Sequence, residues 1–224
     1  YVFDGQDAKD AFGNTPGSAA STVLGVETVR EFSVLSNAYS AEFGGAGGVI
    51  NAVTKSGTNA LHGSVFWFHR NDNLDATNFF VNKRGQVNPE FKRHQFGGTV
   101  GGPISQDKSF FFLSFEGFRQ NTGRSQTAFV ATAAARQGDL DGDGVAEITV
   151  SPIIAPFLAL YPLPNGKDVG GGRGEYFSVG DEPVNENFIT GRWDHNFSDS
   201  DSLFFRYTNS DGERGLPGSL PISG

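Results

Sequence analysis

The sequence predicts a mainly β fold of antiparallel strands, and three observations carry that prediction. Apolar and polar residues alternate with a period of two in several runs, most plainly over 109–119 and 187–197, the spacing of a strand whose two faces meet different surroundings. Phe (22 residues) and Gly (31 residues) are both abundant; aromatic side chains suit a pleated surface, and glycines suit bulges and tight turns. Clusters of Asn, Asp, Ser and Gly separate the runs, and the connections they form alternate between long and short.

Composition narrows the function classes. A net charge of −8 gives no basic face with which to neutralise phosphates, so a nucleic-acid binder is not expected. Cys is absent, which removes disulfides and thiolate metal sites. The most apolar stretch, 148–163, is broken by Pro152, Pro156 and Pro162 and is too short to span a bilayer as a helix. A chain of this kind enters a membrane only as strands. Met is also absent, and the chain is read as an internal piece of a longer protein.

In chain order, Tyr1-Val2-Phe3-Asp4-Gly5 reads as a short strand running into a turn. The segment 28–35 is expected to begin as a helical turn and to become a strand. The pairs Gly44-Gly45 and Gly47-Gly48 then make a tight corner where backbone approaches backbone, followed by the β-rich run Val49-Ile50-Asn51-Ala52-Val53-Thr54-Lys55. The texture changes after 59. Strands are expected over 61–70, 91–104 and 109–119, with a polar loop between the first two and a short turn at 105–108. Within 109–119, Phe111, Leu113 and Phe115 share one face; Phe110, Phe112, Ser114, Glu116 and Phe118 share the other. A long loop is expected over about 126–185, an excursion of a size that is usually functional or mobile. The last pair of strands, 187–197 and 203–208, joins through a polar turn at 198–201. Ile189, Trp193 and Phe197 lie opposite Thr190, Arg192, Asp194 and Asn196; Leu203, Phe205 and Tyr207 lie opposite Arg206 and Thr208. Such alternation suits a membrane hairpin and a soluble half-buried hairpin equally well.

Four ordered motif sets link these elements to a known family. Glu31-Phe32-Ser33-Val34, Tyr39, Phe43-Gly44, Gly47-Gly48-Val49-Ile50-Asn51 and Thr54-Lys55 resemble the segment that closes the plug of TonB-dependent outer-membrane receptors. Gly63-Ser64, Phe66, Phe68 and Arg70-Asn71, then Gln95-Phe96-Gly97-Gly98 and Gly101-Gly102-Pro103-Ile104, then Phe110-Phe111-Phe112 and Glu116-Gly117 with Arg119, resemble the first barrel strands of the Oar-like branch. Asp4-Gly5 stands where those plugs carry an Asp-Gly strand end. The resemblance implies a partial plug domain over 1–56. Residues 57–224 would then be the first five antiparallel strands of a transmembrane β-barrel of about 22 strands, with long extracellular loops. It further implies the bacterial outer membrane, outer-membrane lipid around the strands, an unidentified extracellular ligand, and energy coupling through TonB via a segment upstream of residue 1. The plug-signature residues are Gly47, Gly48, Val49, Ile50, Asn51, Thr54 and Lys55.

Residue chemistry adds one candidate site. Asp139, Asp141, Asp143 and Glu147 have calcium-loop spacing, with alternate carboxylates and a glycine turn to converge oxygens on a hard cation. Val150 occupies the twelfth position, so a full EF-hand is not expected, and no cofactor is required by the fold. His62, His69, His94 and His195 are scattered without a zinc spacing. No nucleophile elbow, phosphate loop or paired acid at a defined site is present, so no enzyme is expected. Arg70, Arg119 and Arg192, with Glu116 and Asp194, are expected to face a lumen and to pair with Glu27, Arg30 and Glu31. The competing account is a secreted or surface-attached calcium-binding β-domain acting in adhesion or glycan binding, which would carry polar outer faces.

Overall fold

The computed structural model describes residues 2–8, 17–20, 24–35, 49–77, 79–83, 85, 89–218 and 220. Gly47 and Gly48 of the plug signature, with Tyr39 and Phe43-Gly44, lie outside them. The chain forms two compact units, one of Tyr1–Arg70, Lys92–Gln120 and Val184–Arg214, the other of Asn71–Phe91, Asn121–Pro183 and Gly215–Gly224. Its strands are β1 (Val2–Phe3), β2 (Gln6–Asp7), β3 (Val29–Leu35), β4 (Val49–Thr54), β5 (His62–Asn71), β6 (Phe91–Ser105), β7 (Ser109–Ala131), β8 (Asp168–Gly170), β9 (Arg173–Asn196) and β10 (Ser202–Arg214). They make a four-stranded sheet in the order β2-β1-β4-β3 and a six-stranded sheet in the order β10-β9-β7-β6-β5, with β8 on β9.

In the first unit, the small sheet begins with a two-residue hairpin. Asp4 (φ 51°) and Gly5 (φ 82°) both take the left-handed region, the primed turn whose twist matches its strands and which an Asp-Gly pair adopts readily. β1 runs parallel to β4, with Phe3 opposite Ala52. β3 runs antiparallel to β4, with Phe32 opposite Ala52 and Leu35 opposite Val49. Val2, Phe3, Val49 and Ala52 are buried and form the small core of this sheet.

The larger sheet has an unusual distribution of apolarity between its faces in this unit. Phe112 (1 % exposed), Ser114, Glu116, Phe118, Phe188 and Thr190 are buried. On the opposite face Leu113 (52 % exposed), Phe115, Ile189, Leu203, Phe205 (63 %) and Tyr207 stand in the open, as do Val65 and Trp67 on β5. A soluble hairpin would bury the Leu and Phe face and expose the Ser, Thr and Glu face. The reverse arrangement is that of strands whose outer face meets lipid. At Leu113, Phe115, Ile189, Leu203, Phe205 and Tyr207 the outer face is apolar where the adhesion-module account requires it to be polar, and that account is not supported.

Close glycine contacts fix how the strands lie against one another. A Cβ on Gly97 would stand 2.3 Å from the Phe115 carbonyl oxygen and 2.8 Å from the Phe66 ring, and one on Gly117 would stand 2.5 Å from the Phe96 ring. Aromatic rings laid over strand glycines fill the space their missing side chains leave. The motif glycines after Phe96 and Glu116 thus have a packing reason. Short turns close the hairpins at one end. Lys108 N–H donates to the Ser105 carbonyl (3.2 Å) across a turn with Asp107 at φ 61°, and the Ser198 hydroxyl accepts from Ser200 and Asp201 N–H.

The expected strands are all present, but three are much longer than read, β10 among them with 13 residues. β7 has 23 residues and β9 has 24. The expected loop over 126–185 therefore shrinks to 132–172, β8 included. Large apolar residues are missing from 120 to 128, and Thr122 and Thr127 keep the backbone extended as far as Phe129 and Val130. In the second unit, Thr132 N–H donates to the Gly172 carbonyl (2.9 Å), closing the excursion where the two strands end. The expected polar loop after β5 holds a 3₁₀ turn at Asp72–Leu74, capped by the Asn71 side chain, and the short helix α1 (Phe79–Lys83). The proline-punctuated apolar stretch forms the six-residue helix α2 (Ala155–Leu160). Among the described residues, no helix is long and apolar enough to cross a membrane.

Candidate functional site

The first unit brings the small sheet against the polar face of the larger one through a seam of hydrogen bonds centred on Asp4. The Asp4 side chain is 5 % exposed. Its carboxylate accepts from Thr54 N–H (2.8 Å, Oδ1) and the Thr54 hydroxyl (2.8 Å, Oδ2) within its own sheet. It also faces two guanidinium groups of the larger sheet: Arg192 at 3.3 Å (Nη1 to Oδ1), and Arg206, whose Nη1 bonds Oδ2. Arg192 and Arg206 stand directly opposite one another on β9 and β10. Like charges so placed repel, and the Asp4 carboxylate sits against both.

Asp194 completes the cluster. It receives Arg192 through both Nε (3.1 and 3.0 Å) and Nη2 (2.8 Å), the fork geometry that suits a carboxylate. Arg192 Nη1 also donates to the Thr54 hydroxyl (2.9 Å). The guanidinium of Arg192 lies 4.7 Å from the Phe204 ring centroid, and that of Arg206 lies 5.9 Å from the Phe3 ring centroid. Two cations meet two anions here, so the cluster is neutral as it stands.

Two further carboxylates of the larger sheet reach the N-terminal segment by another route. Glu116 is buried, accepts Val26 N–H (2.8 Å) and is held by Gln95 Nε2 (2.7 Å). Glu186 is buried, accepts Ala20 N–H (2.7 Å), and takes a hydrogen bond from the Ser210 hydroxyl. Beside them, the Thr28 hydroxyl donates to Ser114 Oγ (3.0 Å) in a buried contact. The larger sheet thus holds the segment partly by main-chain groups and partly through Asp4.

The expected ion-pair partners are corrected by this arrangement. Glu27 pairs with Lys55 (2.7 Å), and Arg30 pairs with its neighbour Glu31 (2.9 Å) in the open. Among the described residues, these pairs lie within the N-terminal segment itself. Arg119 donates to the Glu186 carbonyl (2.7 Å) and Asn187 Oδ1 (2.7 Å). Arg192, Asp194 and Glu116 do meet the N-terminal segment, but through Asp4, Thr54 and Val26. Of the plug-signature residues, Val49 and Ile50 pair with β3, and Thr54 (1 % exposed) orients Asp4. Lys55 also donates its N–H to the Thr28 carbonyl (2.8 Å), while the Asn51 Oδ1 is buried with no partner among the described residues. The importance of Asp4, Arg206 and Glu186 is not read from the sequence, although Asp4-Gly5 and the Arg206 side of its strand both mark the right places.

In the second unit, Asp139, Asp141, Asp143 and Glu147 do converge. One oxygen from each lies within 4.8 Å of the others. Asp139 Oδ1 accepts from Gly142 N–H (2.6 Å) and Oδ2 from Gly144 N–H (2.9 Å), with both glycines at positive φ (83° and 92°). Glu147 folds back to accept Leu140 N–H. The loop therefore positions its carboxylates by its own backbone.

Comparison with known proteins agrees with the outward apolar face. Residues 53–223 match the outer membrane beta barrel domain family. The chain belongs to that family, and its place is the bacterial outer membrane. It is also 40 % identical over 121 residues to the TonB-dependent transporter Oar of Myxococcus xanthus. That stretch covers 51 % of this chain and 11 % of the relative, so the chain spans a small part of that protein's length. The resemblance to Oar-like TonB-dependent receptors drawn from the motifs is borne out. No solved structure matches the chain. Both matches point to a non-enzymatic role.

Proposed function

We propose that residues 1–56 are the closing part of a plug and that 57–224 supply the first five strands of the barrel that plug occludes. The protein takes up an extracellular ligand when the plug is displaced. The carrying observation is the seam at Asp4, where a small sheet is tied to the polar face of lipid-facing strands by charges that can separate. The family match starting at residue 53 supports the division. By the same reading, energy for displacement comes through TonB, engaged by a segment upstream of residue 1. The test is electrical. The full-length protein should show little conductance in planar bilayers, and the form deleted of its plug up to residue 56 should conduct in large open steps. Equal conductance from both would remove the plug reading.

The converging carboxylates of 139–147 support a calcium site as well, and we propose it as a structural one in the excursion between β7 and β9. Four carboxylates within reach of one cation repel each other in its absence and are drawn together in its presence. Calorimetric titration of the full chain with Ca²⁺ should show a binding event that Asp139→Asn abolishes. A titration unchanged by that substitution would discard the site.

A further inference from the structure

We propose that Arg192 and Arg206 form a carboxylate-binding site on the inner face of the strands, of which Asp4 is the resident and exchangeable ligand. The inference rests on the plug reading and extends it to the chemistry of what passes. The two arginines stand directly opposite on β9 and β10, an arrangement that repels unless an anion lies between them. Their side chains are 13 % and 16 % exposed, so solvent screens that repulsion poorly. Asp194 matches one of the two charges by its hold on Arg192. Asp4 matches the other. When Asp4 withdraws with its hairpin, the cluster passes from neutral to a single positive charge.

The remaining groups stay aimed at the place the carboxylate leaves. Arg192 is fixed from behind by Asp194. Arg206 is carried by a strand paired with β9 along its whole length, from Ser202 opposite Asn196 to Arg214 opposite Val184. Guanidinium forks favour planar oxyanions, and the group already seated is a carboxylate. The ligand class is therefore a carboxylate-bearing molecule, such as an organic acid or an acidic or C-terminal group of a peptide. Asp4 holds the site shut against it until the plug moves.

Asp4 itself offers a clean test, because its φ of 51° suits glycine better than any other residue. Asp4→Gly removes the carboxylate without straining the turn and leaves a space the shape of acetate. In the full-length protein, hydrogen exchange over Gln6–Asp7 and Ser202–Arg214 should quicken in Asp4→Gly. Acetate should restore protection saturably, and chloride at equal ionic strength should not. Wild type, its site filled, should not respond, and the Asp4→Gly/Arg206→Gln double variant should lose the restoration. Asp4→Gly/Arg206→Lys, which keeps the charge without the fork, should keep part of it. Restoration equal with chloride, or surviving Arg206→Gln, would overturn the proposal. A failed plug reading shows itself separately, in unchanged bilayer conductance on plug deletion, and leaves the acetate response to be read on its own.

Discussion

Asp4 connects residues nearly two hundred positions away, and its removal should be felt accordingly. Taking one partner from a buried charge cluster leaves an uncompensated charge, at a cost of about 3–5 kcal/mol; removing both partners costs much less. In the full-length protein, Asp4→Ala should therefore lower the denaturant midpoint more than the double variant Asp4→Ala/Arg206→Gln does. A double variant worse than the single one would show that Asp4 and Arg206 act independently. Thr28 and Ser114 offer a second residue-scale check, because their hydroxyl oxygens are 3.0 Å apart and this chain has no Cys of its own. Thr28→Cys with Ser114→Cys should cross-link on mild oxidation, seen as a mobility shift reversed by reductant. Failure to cross-link would mean that the N-terminal segment does not rest on β7.

At the scale of elements, the aromatic-over-glycine pairs make the strongest demand. Gly97→Leu puts side-chain atoms where the Phe115 carbonyl and the Phe66 ring already lie, so β6 must part from its neighbours. The variant of the full-length protein should lose the heat-modifiable gel mobility by which folded barrels are recognised. Retention of that mobility would show that the sheet absorbs the side chain. The elements were legible in the sequence wherever large residues alternate, as in 109–119, because burial on one face and exposure on the other leave a period-two record. They were not legible in 120–131 or 173–186, where polar residues, Gly and Pro interrupt the alternation and no face is strongly marked. The partners of Arg192 were not legible either. A single sequence shows that an arginine sits on a polar face, but the carboxylate that meets it is chosen by the docking of a separate sheet, and Glu27 and Glu31 looked equally suitable. The acidic loop was different, since its four carboxylates fall within nine residues and the backbone alone brings them together.

For the whole molecule, the decisive feature is which face of the larger sheet is apolar. Leu113 and Ile189 lie in the open on the outer face, so their surroundings in the cell must be lipid. An arginine placed near the bilayer midplane on such a face costs roughly 2–4 kcal/mol, whereas on an exposed aqueous surface it would cost almost nothing. Leu113→Arg in the full-length protein, unfolded by urea from lipid vesicles, should be destabilised by up to about that amount, less the nearer Leu113 lies to the membrane surface. Stability equal to wild type would place this face in water and contradict the orientation of the strands.

The manner in which Glu116 and Glu186 hold the N-terminal segment has an evolutionary consequence. Both grasp main-chain N–H groups, those of Val26 and Ala20, and a main-chain donor is supplied by every residue except proline. The side chains at these positions are consequently free to drift, diversify or be exchanged by recombination without loss of seating, while Asp4 is tied to its arginines. Segments of different sequence should therefore seat on the same strands as long as the acidic turn at Asp4 is kept, so the face they present can change while the strands beneath them stay as they are.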